Sequence, residues 1–344
     1  MSLIAFLLSL FSSASDGGYN DLDVTAFEEA VSGSKVAVLD VRTADEYAAG
    51  HLPWASNLDW YATDFVERVS ASYPKETPLA LYCRSGRRSA EAAARLVKEG
   101  FTVCNLKGGY LAWTGAGKRT SAYAVETFFT REGFPVAVAL VKHGTLALCY
   151  KGRTLHIDPV GAYGKATDYA VEFPKADAIL VTHEHGDHFD REAIAALTQE
   201  GKTELVTNAR CAEMLDYGTV MANGDRHTLP DEVLLEAVPA YNHSEGRTQF
   251  HPKGRDNGFV LTLDGLRIYV AGDTEDIPEM EELKDIDVAF LPVNQPYTMT
   301  VDQCVRAART IGPKVLIPYH FSNTDLSGLP ARLEGMDVRL RDMR

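Results

Sequence analysis

A dense group of metal-ligand side chains follows a short apolar run in the second half of the chain. The run Ala178-Ile179-Leu180-Val181 predicts a buried strand, and it leads into His183-Glu184-His185-Gly186-Asp187-His188. His183 and His185 alternate, so both side chains can face the same way off an extended backbone, while Asp187 and His188 can turn back towards a second ion. Imidazole and carboxylate groups suit zinc, iron or manganese. Because the whole chain has only ten histidines, this density predicts a metal site at a strand end.

Three further apolar runs end in a metal-ligand residue, in the order Ile157-Asp158, Gly272-Asp273-Thr274 and Tyr319-His320. With the first cluster, this order of motifs resembles the metallo-β-lactamase fold hydrolases over residues 122–344, and their lactonase-like branch in particular. The resemblance implies a four-layer αββα sandwich in which two metals are bound. It also implies that Asp273 bridges the two metals and that His320 completes the second site beside Asp187 and His188.

The third ligand of the first metal is the open position in this resemblance. Asn242 lies where many relatives have a histidine, and His243 beside it is an alternative ligand, although it would face the other way on an extended backbone. If they do not bind the metal, Asn242 and His243 are expected to line the pocket or to stand behind the ligands. His251, in Phe250-His251-Pro252-Lys253-Gly254, is the favoured ligand if its loop swings in. His143 lies at a tight turn where the related branch often has a histidine, which indicates a pocket residue or a residue behind the ligands.

Two cations bridged by Asp273 would share a water and lower its pKa towards neutrality, so that a metal-bound hydroxide becomes the nucleophile. Asp187 would orient this hydroxide or shuttle a proton. Such a site hydrolyses esters, lactones, thioesters, amides or phosphodiesters, and the fold alone does not choose among them. We expect a small-molecule substrate and two divalent metals, zinc first, with manganese or iron as alternatives.

A cysteine heads a basic loop in the first half of the chain. The strand-like Pro78-Leu79-Ala80-Leu81-Tyr82 leads into Cys83, and a helix is predicted from about Ser89 to Glu99. A strand-loop-helix unit directs backbone N–H groups and the positive helix end at an anion. Nearby arginines should lower the pKa of the thiol and make it a nucleophile. The loop residues are Arg84, Ser85, Gly86, Arg87 and Arg88.

This loop, together with Leu39-Asp40-Val41-Arg42 and the segments 46–53 and 105–113, resembles the rhodanese family of sulfurtransferases. The resemblance covers residues 19–117 and implies an α/β domain in which Cys83 carries a sulfane sulfur as a persulfide. In such a domain, Arg84, Arg87 and Arg88 would attract thiosulfate or another anionic sulfur donor, such as a persulfide. A glycine-rich joint at 115–118 would separate this domain from the second one.

The composition limits the partners and the compartment. A net charge of −14 argues against a general nucleic-acid binder, and no apolar run is long enough to span a bilayer. Five scattered cysteines do not form a disulfide framework, which favours the cytoplasm. Residues 1–15 are apolar but lack a preceding positive charge, so export, membrane association and a packed helix remain open for them. The oligomeric state is not indicated.

Three functions are consistent with the whole chain. The favoured one joins a Cys83 persulfide sulfurtransferase to a metal-dependent hydrolase, because one chain raises the effective concentration of a shared intermediate. The second is an iron persulfide dioxygenase fused to a rhodanese domain, which in that family binds one iron through two histidines and an aspartate. In the third, the metal-binding domain is a non-catalytic scaffold for the sulfurtransferase.

Overall fold

The computed structural model describes residues 18–32, 35–164 and 166–343. The segment of residues 1–15 lies outside the described residues, so its predicted alternatives stay open. None of the helices in the described ranges combines the length and the hydrophobicity that a transmembrane span requires. The chain divides into two compact units, one of residues 1–139 and 148–153 and one of 140–147 and 154–344. The domain bounds 19–117 and 122–344 remain a prediction.

The N-terminal sheet has five parallel strands in the order β1-β5-β4-β2-β3. Its three middle strands are buried on both faces, which explains their unbroken apolar runs. Parallel neighbours need crossover connections, and helices occur between successive strands. The strands are β1 Asn20–Leu22, β2 Ala37–Asp40, β3 Ser56–Asn57, β4 Leu79–Tyr82 and β5 Val103–Leu106; the helices are α1 Val24–Val31, α2 Ala44–Ala48, α3 Phe65–Ser72, α4 Arg87–Lys98 and α5 Gly109–Gly115.

The second sheet has seven strands in the order β12-β11-β10-β9-β8-β7-β6. Its first pair, β6 and β7, is antiparallel, whereas β9 to β12 are parallel. The strands are β6 Val125–Phe129, β7 Pro135–Lys142, β8 Thr145–Tyr150, β9 Arg153–Ile157, β10 Ala178–Leu180, β11 Glu204–Thr207 and β12 Thr219–Val220; the helices that accompany them are α6 Tyr169–Glu172, α7 Arg191–Leu197 and α8 Ala209–Leu215.

The third sheet has seven strands in sequence order, β13 to β19. Pairing is antiparallel from β13 to β16 and parallel from β16 to β19. The strands are β13 Arg226–Leu229, β14 Val233–Ala240, β15 Asp256–Leu263, β16 Leu266–Val270, β17 Val288–Pro292, β18 Val315–Tyr319 and β19 Asp337–Val338; the helices are α9 Val301–Ile311 and α10 Leu329–Arg332, with 3-10 turns at Pro230–Glu232 and Pro278–Glu282.

The parallel strands bring polar residues to common sheet edges. In the second sheet Ile157 lies opposite Leu180, so the residues that follow β9 and β10 emerge side by side. In the third sheet Val270 lies opposite Phe290, and Phe290 opposite Ile317. Carboxyl ends of parallel strands are where α/β proteins place their ligands. The structure thus has a five-stranded α/β sheet followed by two seven-stranded sheets with accompanying helices, which is the layout that the sequence predicts.

Candidate metal centre and cysteine loop

The predicted metal ligands lie in two groups. The first group contains His183, His185, His251 and Asp273, and within it the candidate ligand atoms all lie within 4.8 Å of one another. The same holds in the second group, which consists of His143, Asp187, His188 and His320. The structure therefore brings together every residue that the sequence predicted as a metal ligand, and it adds His143.

Asp273 stands between the two groups. Its Oδ1 lies 3.3 Å from Nε2 of His188 and 3.3 Å from Nε2 of His320. Its Oδ2 lies 3.4 Å from Nε2 of His251 and 3.9 Å from Nε2 of His183. Each carboxylate oxygen thus faces a different set of imidazoles. A carboxylate that two cations share would have this arrangement.

Buried atoms without a hydrogen-bond partner converge on this carboxylate. They include Nε2 of His183, His188 and His320 and Oδ1 of Asp273. Native proteins rarely leave buried polar atoms unsatisfied, and each such atom calls for an explanation, such as an ion. Nitrogen and carboxylate donors at a common point match what zinc, iron or manganese bind. The residues present therefore fit divalent cations.

The protonation states suit metal binding. Burial lowers the pKa of His183 well below its ordinary value and that of His251 to about 4, so both imidazoles are neutral at pH 7. Burial would raise the pKa of Asp187, but hydrogen bonds with His143 and His320 hold it well below its usual range. For Asp273, the neighbouring histidines likewise outweigh burial and keep the pKa low. His183, His251 and the two carboxylates are thus in the form that binds a cation. His188 differs, because burial lowers its pKa but the carboxylates of Asp273 and Asp158 raise it well above its ordinary value.

Asp158 and Thr182 orient two of the histidines from behind. Oδ2 of Asp158 lies 2.7 Å from Nδ1 of His188, and Thr182 donates to Asp158 from both its backbone N–H and its hydroxyl. The Thr182 hydroxyl also lies 2.9 Å from Nδ1 of His183. Such contacts fix the tautomer and aim Nε2 at a metal. The sequence marked Asp158 as a strand-end aspartate but gave no signal for this contact or for Thr182.

His251, the favoured third ligand, is held by Asn242. Its Nδ1 lies 2.6 Å from Oδ1 of Asn242, and its Nε2 lies 3.1 Å from Nδ1 of His185. The Asn242 amide donates to the carbonyl of Tyr297 at 2.8 Å, which fixes the amide orientation. Asn242 therefore supports a histidine that comes from the following loop.

His243 lies outside both groups. Its side chain is 45% exposed and faces the carboxylates of Glu275 and Asp276 at 3.8 and 3.5 Å. Its backbone N–H donates to Glu275, and so does that of Ser244. His243 therefore faces away from the ligand groups, as expected for a residue next to Asn242 on an extended backbone, where adjacent side chains point in opposite directions.

The turn between β7 and β8 contacts the second group at several points. Nε2 of His143 lies 3.2 Å from Oδ2 of Asp187, and the carbonyl of His143 accepts the backbone N–H of His320 at 3.1 Å. A Cβ added to Gly144 would lie 2.6 Å from Cε1 of His188. This turn therefore requires a glycine beside the histidine, and His143 lies directly behind Asp187.

Several residues around this centre have a strained backbone. Positive φ angles occur at His143 (43°), Asp158 (47°), His320 (47°) and Ser322 (44°), none of which is glycine. Such conformations cost free energy and persist where the surroundings fix them, often at functional sites. The packing of the strand ends thus keeps these residues in backbone conformations that non-glycine residues rarely adopt.

The cysteine loop joins β4 to α4. Cys83 is buried, and the N–H of Gly86 points to its Sγ at 3.2 Å. Burial would raise the pKa of the thiol, but hydrogen bonds from Ser89, Ser85 and Gly86 outweigh it and lower the pKa. The direction matches the sequence prediction, but the main cause is hydrogen bonding instead of arginine charge. Gly109 lets α5 approach, since a Cβ there would lie 2.3 Å from the Cys83 carbonyl.

The three arginines of the loop have different surroundings. Arg84 and Arg87 are exposed and stand at the loop as predicted. Arg88 instead forms a two-pronged ion pair with Glu46, at 2.7 and 2.8 Å. Its predicted role in attracting an anionic donor stays a prediction, and the Glu46 carboxylate balances its charge. The sequence could not show this pairing between residues 42 positions apart.

Together, the αββα sandwich and its paired histidine and aspartate groups define a metallo-β-lactamase-type metal-binding protein that also carries a rhodanese-like domain. A model of the Beta-lactamase superfamily domain matches residues 137–320, and a model of the Rhodanese-like domain matches residues 23–116. The chain belongs to the beta-lactamase superfamily, and its relatives there are named UPF0173 metal-dependent hydrolases.

Individual relatives agree with this assignment. A UPF0173 metal-dependent hydrolase of Geobacillus sp. (strain WCH70) is 31% identical over 190 residues, which is 52% of this chain and 83% of the relative. One from Pyrococcus abyssi is 31% identical over 44% of this chain and 69% of its own length. The crystal structure named as a metal-dependent hydrolase of Parabacteroides distasonis ATCC 8503 is 49% identical, with a TM-score of 0.62, and covers 64% of this chain and 100% of its own.

Proposed function

We propose that the chain is a two-site enzyme, a hydrolase with two divalent cations at the metal centre and a sulfurtransferase at Cys83. The observation that carries the hydrolase part is the placement of Asp273, whose two oxygens face two different sets of imidazoles at 3.3 to 3.9 Å. A single-metal centre would leave one of these sets without a cation.

The residues divide into two sets of ligands. His183, His185 and His251 would hold the first cation, while Asp187, His188 and His320 would hold the second, with Asp273 shared. When bound, the cations supply an acidified water and polarise a carbonyl or phosphoryl oxygen. Zinc is the favoured metal, and manganese and iron fit the same donors.

The protein's own side chains orient the reacting groups. Asp187 is partly exposed and ionised, so its carboxylate can accept a hydrogen bond from an attacking water and align it. His143, 3.2 Å from Asp187, keeps that carboxylate in place. The substrate is a small molecule with an ester, lactone, thioester, amide or phosphodiester bond, and the net charge of −14 disfavours nucleic acid.

At the second site, the thiolate of Cys83 attacks the outer sulfur of a donor such as thiosulfate. The S–S bond of the donor breaks, sulfite leaves with the electron pair, and the sulfane sulfur stays on Cys83 as a persulfide. An acceptor thiolate or cyanide then removes that sulfur and regenerates the Cys83 thiolate. The support is the lowered pKa of Cys83, the N–H of Gly86 at 3.2 Å from Sγ, and the exposed Arg84 and Arg87.

An iron-dependent persulfide dioxygenase is the second candidate, favoured by the presence of a persulfide-type cysteine loop on the same chain as the metal centre. It requires one iron and oxygen consumption with glutathione persulfide as substrate. The two separate ligand groups favour the hydrolase.

The test compares Cys83→Ser with Asp187→Ala. Cys83→Ser is expected to abolish transfer of sulfur from thiosulfate to cyanide while leaving metal content and ester hydrolysis unchanged. Asp187→Ala is expected to lower metal content and hydrolysis and to leave sulfur transfer intact. His243→Ala is the matched control, because it removes a histidine that lies outside both ligand groups. Loss of both activities in either variant would contradict two independent sites.

A further inference from the structure

A tyrosine that no sequence motif indicated stands at the edge of the metal centre. The ring of Tyr163 lies 4.6 Å from the ring of His143, at an interplanar angle of 42°. The side chain is nevertheless 42% exposed. A half-exposed aromatic ring against a buried ligand group is a surface that an incoming small molecule would meet.

The segment before Tyr163 is anchored on both sides. The N–H of Gly161 donates to Asp190 at 2.8 Å, and the carbonyl of Gly161 accepts from the ammonium group of Lys142 at 2.8 Å. The N–H of Val160 donates to the hydroxyl of Tyr169 at 3.1 Å. The start of this loop, two residues before Tyr163, is therefore fixed to its neighbours, which limits where the Tyr163 side chain can reach.

The hydroxyl of Tyr163 lies near the side chain of Ser322, two residues after His320, where the backbone has a strained φ of 44°. The ring of His143, which Tyr163 contacts, lies 3.7 Å from the ring of His320. The phenol therefore stands beside the second ligand group, where its O–H can donate a hydrogen bond.

We propose that Tyr163 is a substrate-contacting residue of the metal centre, donating a hydrogen bond from its hydroxyl to an oxygen of the bound carbonyl or phosphoryl group. This rests on the proposed function of the centre. In this role, the Tyr163 side of the metal centre, next to His143 and His320, faces the oxygen-rich end of the substrate. If Tyr163 only packed against His143, its ring alone would be needed. Removing the hydroxyl therefore distinguishes a substrate contact from packing.

The experiment uses Tyr163→Phe, which keeps the ring and removes only the hydroxyl. Cobalt-loaded full-length protein is titrated with inorganic phosphate, and binding is read from the visible spectrum of the cobalt. Losing one hydrogen bond should weaken phosphate binding about threefold to tenfold at unchanged cobalt content. Tyr217→Phe, at a tyrosine 48% exposed and outside the ligand groups, is the matched control and should bind like the parent.

Hydrolysis is measured in parallel with 4-nitrophenyl acetate and bis(4-nitrophenyl) phosphate. We expect kcat/KM of Tyr163→Phe to fall at least as far as its phosphate affinity. Equal phosphate affinity in the parent and Tyr163→Phe would overturn the inference, and so would a cobalt spectrum that does not respond to phosphate. If Tyr163→Phe loses phosphate affinity but the parent hydrolyses neither compound, the Tyr163 contact stands and the proposed hydrolase function is contradicted.

Discussion

A buried histidine outside the metal centre should make the protein sensitive to mild acid. His156 lies in the middle of β9, is fully buried, and has no hydrogen-bond partner on either ring nitrogen. Its ring packs edge-on against Phe173 and Tyr169, at centroid distances of 4.8 and 5.8 Å. Burial lowers its pKa from 6.5 to about 3, because the charged form cannot be solvated there.

The sign and size of the effect follow from linkage. The unfolded chain binds a proton at His156 near pH 6.5, whereas the folded chain does so only near pH 3, so stability is lost as pH falls through this interval. At pH 5 the unfolded histidine is almost fully protonated and the folded one is neutral. The resulting loss in the free energy of unfolding, relative to pH 8, is about 2 kcal/mol.

The assay is urea unfolding at pH 8 and pH 5 for the parent and His156→Leu, a substitution of similar volume. The other titrating groups, including the metal ligands, are common to both proteins and cancel in the comparison. The parent should lose about 2 kcal/mol more than the variant between the two pH values. Parallel pH dependence of the two proteins, within about 0.5 kcal/mol, would refute the reasoning.

Two further predictions concern the metal centre. Gly144→Ala places a methyl group 2.6 Å from the buried ring of His188. This should remove about one metal equivalent per chain, measured by elemental analysis, while the far-ultraviolet circular dichroism stays native; full occupancy would contradict it. Asn242→Ala removes the acceptor 2.6 Å from Nδ1 of His251, so affinity for the first cation should fall about 10-fold to 100-fold in chelator competition. Asn242→Asp, which keeps an acceptor, should retain most of the affinity.

Most residues of the two groups were predictable from the sequence because they belong to short motifs at strand ends. His183, His185, Asp187 and His188 form one continuous string after an apolar run, so the local pattern carries the information. His320 and Asp273 each end a strand in the same way. The parallel register of the sheets then brings these ends together, which is a general property of the fold.

The contacts that orient the ligands were not predictable, because they join residues far apart in the sequence. Asp158 contacts His188, which is 30 positions away in the sequence, and His143 contacts Asp187, which is 44 positions away. Neither pairing leaves a periodic or spacing signal. Tyr163 is a single aromatic in an irregular loop, and only the three-dimensional structure shows it beside His143.

The cysteine loop was also predictable from the sequence only in part. The strand-loop-helix pattern predicted the position of Cys83 and the direction of its pKa shift. The cause differed, since Ser89, Ser85 and Gly86 supply the hydrogen bonds while Arg88 is paired with Glu46. The sequence shows how many arginines lie near the cysteine. It does not show which of them form ion pairs with carboxylates elsewhere in the chain.

The central claim is that Asp273 is shared by two cations, and metal stoichiometry tests it most directly. Elemental analysis of the purified full-length protein, without added metal, should give about two zinc or manganese ions per chain, falling to about one or fewer in Asp273→Ala. One iron per chain, with oxygen consumed in the presence of glutathione persulfide, would contradict the account and favour the dioxygenase.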